Sequence, residues 1–128
     1  MESRFEKGLK RLKEVDGVEG DRVLEALADI CPDLGRYIVE FGFGDVYSRP
    51  GLTLQQRELA TVAALTALGT AGPQLKVHLA AALNVGLSRT EIVETIVQMS
   101  LYAGFPAALN GLFAAKEVFA AHEQARHG

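Results

Sequence analysis

Apolar residues recur along this chain at helical spacing, and no stretch alternates as a strand would. Residues 5–15 form an amphipathic helix rich in Lys, Arg and Glu. Asp21 can cap a second helix that carries Val23, Leu24, Leu27 and Ile30. Pro32 ends that helix, because the residue before proline avoids helical geometry. A third helix is expected over 32–41, with Leu34, Ile38 and Phe41 on one face. Residues 42–51 are glycine-rich and aromatic, and read as a connection with a short helical turn.

The second half is more sharply punctuated. Thr53-Leu54-Gln55-Gln56 and Ser88-Arg89-Thr90-Glu91 both have the spacing of a capping box, in which side chains satisfy the free backbone groups of a helix start. The first of these helices runs to Leu68, where Gly69 suits a left-handed stop. Gly72-Pro73 opens the next helix, since proline fits the first position. Gly104 ends the helix that follows, and Pro106 begins the last one. Residues 122–128 are polar and read as a frayed tail. The expectation is one all-α domain over 1–128, with six to seven helices.

Two of these helices, over 59–68 and 106–115, are apolar nearly all round. Such a helix needs cover on every side. A chain this short supplies too little of it, so a homo-oligomer is expected. A monomer with a large apolar groove is the other solution. The uncharged run 95–115 approaches the length of a membrane span. Gln98, Ser100, Asn110 and the break Gly104-Phe105-Pro106 make it two buried helices instead.

Composition narrows the function. The 128 residues carry 13 Lys and Arg against 16 Asp and Glu, a net charge of −3, so no basic face for nucleic acid is expected. The single cysteine, Cys31, allows neither an intrachain disulfide nor a CxxC pair, and fits a cytoplasmic setting. The start of the chain has no apolar signal-peptide core. His122 and His127 flank a glutamate as in a zinc-protease box, but five residues apart they leave the shared helical face. Gly42-Phe43-Gly44 lacks the third glycine of a dinucleotide loop. No metal or cofactor site is expected.

Two ionisable residues stand on largely apolar helix faces: Glu58, beside Thr61, Val62 and Leu65, and His78, beside Leu75, Ala81 and Ala82. Such groups gather at functional sites. Equally, Glu58 can pair with Arg57 or favour a helix N-terminus, and a lone histidine is often a satisfied core residue. Arg49 and Arg57 flank the turn Pro50-Gly51-Leu52, where two guanidinium groups can bind a carboxylate or simply meet solvent, Asp45 or Glu58. Tyr102 offers a hydroxyl within the uncharged run.

These residues form an ordered set: Arg49-Pro50-Gly51-Leu52, Arg57-Glu58-Leu59, Ala67-Leu68-Gly69, His78, Ala82, Asn84, Gly86, Glu91, Glu94 and Tyr102-Ala103-Gly104-Phe105-Pro106-Ala107-Ala108. The set resembles the carboxymuconolactone decarboxylase family. That resemblance implies an all-α fold shared with alkylhydroperoxidase D-type proteins, and ring-like oligomers, trimeric or hexameric. It implies cofactor-free loss of CO₂ from 4-carboxymuconolactone, or from a related small anionic lactone or keto acid, in aromatic-acid catabolism. His78 and Glu58 are the expected catalytic residues, with Arg49, Arg57 and Tyr102 at the substrate. The peroxidase branch would need cysteines where this chain has Ala71 and Gln74, so thiol chemistry is not expected. A non-catalytic member that binds a small acid is the alternative. The chain departs from the usual decarboxylase pattern at Phe43-Gly44-Asp45-Val46-Tyr47, Glu58, Gln74, Lys76 and Gln98, as a shifted substrate would require.

Overall fold

The computed structural model describes residues 1–127. Among these the chain forms seven α-helices and one π-helix, with no strand. The helices group into two compact units, Met1–Leu54 and Gln55–Gly128.

The first unit begins with α1, Arg4–Asp16. Ser3 caps it by accepting the Glu6 N–H at 3.0 Å. The helix buries Gly8, Leu12 and Val15, one face at three- and four-residue spacing. α2, Val18–Leu27, starts from Gly17, so Asp21 lies inside the first turns rather than at the cap. α3, Pro32–Tyr37, opens on proline as expected but is only six residues long. Beyond it the chain does not loosen into a connection. Ile38–Val46 continue as a π-helix, which closes with the Tyr47 N–H on the Gly42 carbonyl at 2.9 Å. Ser48 adds a hydroxyl bond to the Phe43 carbonyl at 2.7 Å.

α1 lies against this π-helix. A Cβ on Gly8 would stand 2.0 Å from the Val39 carbonyl oxygen, and one on Gly44 would stand 2.9 Å from the Arg4 carbonyl oxygen. Only backbone without side chains allows that approach. Arg4 grips Asp45 across the same contact, with bonds of 3.2 and 2.6 Å.

The second unit holds α4 (Leu54–Leu68), α5 (Gly72–Asn84), α6 (Arg89–Ala103) and α7 (Phe105–His127). The predicted stops and starts fall where the sequence puts them. Gly69 has φ +73°, Pro73 sits in the first turn of α5, and the Ser88–Glu91 capping box is complete. Gly104, at φ +92°, turns α6 into α7, a conformation that favours glycine. Val62, Leu75, Leu79, Ile92, Ile96 and Ala115 centre the core. The uncharged run is thus split between two helices, and among the described residues no helix is long and apolar enough to cross a membrane.

Two expectations need correction here. Residues 122–127 are not set apart as a separate tail but continue α7 as helix, where Glu123 pairs with His127 at 3.1 Å and with Arg89 at 2.8 Å. Gly128 lies outside the described residues. Residues 95–115 are also only partly buried within one chain. Leu101, Phe105, Leu109 and Phe113 are exposed, the last at 60%.

Candidate active site

α4 sets Glu58 one turn in from its start, on the face that also carries Val62 and Thr66. All three are buried, and Glu58 is 0% exposed. A carboxylate withdrawn from water is costly unless a partner meets it. α5 supplies that partner. His78 lies between the buried residues Leu75 and Leu79 and their outward-facing neighbours. Its Nδ1 stands 3.0 Å from Glu58 Oε2 and 3.3 Å from Oε1.

The pair is held from its ends. Gln55 donates its side-chain amide to the Val85 carbonyl at 2.7 Å, tying the start of α4 to the end of α5. Thr61 Oγ1 donates to the Arg57 carbonyl at 2.9 Å within α4. In sequence Gln55 is only part of a helix start. A long-range bond to a carbonyl 30 residues away leaves no sequence signal.

The chemistry follows from the donor–acceptor inventory. A carboxylate in its ionised form only accepts, and such a partner selects the tautomer with the hydrogen on Nδ1, which leaves Nε2 as the second nitrogen. Nε2 lies on the far side of the ring from Glu58. His78 is 20% exposed, so the imidazole bridges a buried anion and the accessible surface. A carboxylate–imidazole pair of this kind can move a proton.

The other predicted residues stand as follows. Arg57 is half-buried beside Glu58 on α4. Tyr102 is 78% exposed near the end of α6, and its hydroxyl makes no hydrogen bond among the described residues. Arg49 belongs to the first unit, where it is exposed after the π-helix, its N–H on the Val46 carbonyl at 3.2 Å. Cys31 is exposed in that same unit. Among the described residues no three His, Cys, Asp or Glu side chains gather as a metal-ligand set.

The fold and the pair define an all-helical protein whose chemistry-bearing groups are a carboxylate and an imidazole, without a thiol pair. Comparison with known proteins gives that class its family. Residues 32–117 match the model of the carboxymuconolactone decarboxylase family, and the chain belongs to that family. It is 42% identical over 119 residues to a 4-carboxymuconolactone decarboxylase of Acinetobacter baylyi, covering 92% of this chain and 88% of that one. It is 35% identical to an uncharacterized 15.0 kDa protein of Paracoccus denitrificans, over 79% of this chain and 76% of that one. It is 32% identical to a nitrosuccinic acid decarboxylase of Metarhizium robertsii, over 84% and 76% respectively.

Proposed function

We propose that this protein is a cofactor-independent decarboxylase of 4-carboxymuconolactone, or of a closely related small anionic lactone, yielding the 3-oxoadipate enol-lactone in aromatic-acid catabolism. The protein is a carboxy-lyase: both relatives named for an activity are decarboxylases. The finer reading is carried by one observation, the buried Glu58 carboxylate 3.0 Å from His78 Nδ1.

In this reading the bond from carbon to the leaving carboxylate breaks, and its electron pair moves through the conjugated lactone into the ring carbonyl oxygen. CO₂ departs. His78, protonated on both nitrogens, then gives its Nε2 proton to carbon and regains one from solvent. Glu58 holds the ring and stabilises its charged form. Arg57 and Arg49 anchor the substrate's carboxylates as charge-assisted partners. The Tyr102 hydroxyl adds a donor toward the developing oxyanion. We place the enzyme in the cytoplasm and as a homo-oligomer, a trimer or hexamer, which would cover the exposed apolar residues of α6 and α7.

The test is incubation of the purified protein with freshly generated 4-carboxymuconolactone, following CO₂ and enol-lactone. Turnover is expected, and His78→Ala should lower kcat by about 10²- to 10⁴-fold. A folded protein that releases no CO₂ from this substrate would sink the lactone assignment. Nitrosuccinate is then the second substrate to try, given the relative that acts on it.

A further inference from the structure

α4 and α5 form a helical hairpin that the chain itself closes at one end only. Leu68 and Gly72 are joined by residues 69–71, a loop too short to let that end open. The Glu58–His78 contact lies toward the other end. Glu58 is about 15 Å of helix away from Leu68, but only one turn, about 5 Å, from Gln55. A splay of the two helices about the loop moves Glu58 in proportion to the longer of these distances. What happens at the open end therefore decides where the carboxylate stands.

At the open end α5 runs out of helical donors for its last carbonyls. The carbonyls of Ala81, Ala82 and Leu83 are taken by the N–H groups of Val85 at 2.9 Å, Leu87 at 3.0 Å and Gly86 at 3.1 Å. The next carbonyl with a partner beyond the helix is that of Val85, and the side-chain amide of Gln55 donates to it at 2.7 Å. Gln55 and Glu58 share one face of α4, three residues apart. Val85 follows His78 by seven residues, two turns along α5. The bond from 55 to 85 and the contact from 58 to 78 are thus successive rungs between the same two helices.

Glutamine supplies what this place requires, a hydrogen to give and no charge. A glutamate of the same length could only accept in its ionised form, and it would meet the negative end of α5.

We propose that Gln55 is a positioning residue of the active site: its bond to the Val85 carbonyl fixes the open end of the α4–α5 hairpin and so seats Glu58 against the His78 imidazole. Gln55 acts through Glu58. The kinetic consequence rests on the decarboxylase reading given above, whereas the seating of the pair belongs to the resting protein and is measurable without substrate.

Gln55→Met keeps the length and neutrality of the side chain and removes the hydrogen. The first readout is the titration of the His78 ring, followed by NMR in the absence of substrate. Gln55→Met is expected to lower its midpoint, because a loosened carboxylate stabilises the imidazolium less. Added to Glu58→Gln, where that carboxylate is already gone, it is expected to leave the midpoint unchanged. The second readout is lactone turnover. There kcat should fall about 10-fold, less than the about 10²-fold that a 1 Å misplacement can cost, with KM little changed. A midpoint in Gln55→Met equal to that of the wild type overturns the proposal. So does an equal shift in the Glu58→Gln background, which marks a general loosening of the fold. A shift confined to the protein that has Glu58, without turnover of the lactone, upholds the positioning role and removes the substrate instead. Gln55 is exposed, so the fold should tolerate its loss; if Gln55→Met does not fold, Gln55→Ala carries the same readouts.

Discussion

At the scale of single residues, the proposed chemistry rests on two side chains that sequence could nominate but not join. Both Glu58 and His78 stand out as ionisable groups on apolar helix faces. Their partnership depends on how α4 and α5 cross, and no spacing along one chain encodes a crossing. At Arg49, Arg57 and Tyr102 the signals are local pattern and family resemblance. Glu58→Gln keeps the volume and removes the charge that orients the imidazole. It should lower kcat by about 10²-fold with the fold retained, read by steady-state kinetics beside a thermal melt. Because the two residues act as a unit, adding Glu58→Gln to His78→Ala should cost little more than His78→Ala alone.

A second residue pair gives the acid limb of stability. The Arg4 hydrogen bond and charge hold the Asp45 carboxyl below its usual range, against the opposing effect of desolvation. A carboxylate with a depressed folded-state value contributes stability above its unfolded value and loses it as pH falls through the folded one. Asp45→Asn should therefore melt below the wild type at neutral pH, and the gap should narrow as pH drops through the carboxylate range. The effect should be small, since the pair is exposed and screened. Thermal melts of both proteins at neutral and acid pH check it.

At the scale of elements, the second unit was the legible one. The Ser88–Glu91 capping box, Gly69, Gly104 and Pro73 are local signals, and the chain obeys them because each suits the backbone at a helix end on the spot. The π-helix was not legible. Its glycines look like turn residues, yet Gly44 serves the close approach of α1, a tertiary demand. The extension of α7 was hidden for a similar reason, since Arg89 reaches Glu123 from another helix. Gly8→Ala should destabilise the protein by about 2 kcal/mol, because its Cβ has no room beside the Val39 carbonyl. Gly42→Ala is the control. A Cβ there meets nothing within 4 Å, so its melting temperature should stay near the wild-type value. Denaturant titrations of the two variants separate the outcomes.

At the scale of the whole molecule, the sequence asked for more cover than one chain supplies, and the chain does leave Leu101, Phe105, Leu109 and Phe113 exposed. Residues 105, 109 and 113 fall four apart and form one stripe of α7. In the proposed homo-oligomer such a stripe is the face to be covered. Leu109→Glu with Phe113→Glu should lower the solution mass toward that of a single chain, measured by sedimentation or light scattering. An unchanged mass would remove this stripe from the proposed assembly.

The contact between α1 and the π-helix also bears on how the first unit comes together in time. Arg4 and Asp45 are 41 residues apart in sequence, so that intervening stretch must close as a loop before either the ion pair or the glycine contact returns anything. α2 and α3 can form from local signals meanwhile. The seam would then close late, on the native side of the folding barrier. Crowding at Gly8 should accordingly appear as faster unfolding more than as slower folding.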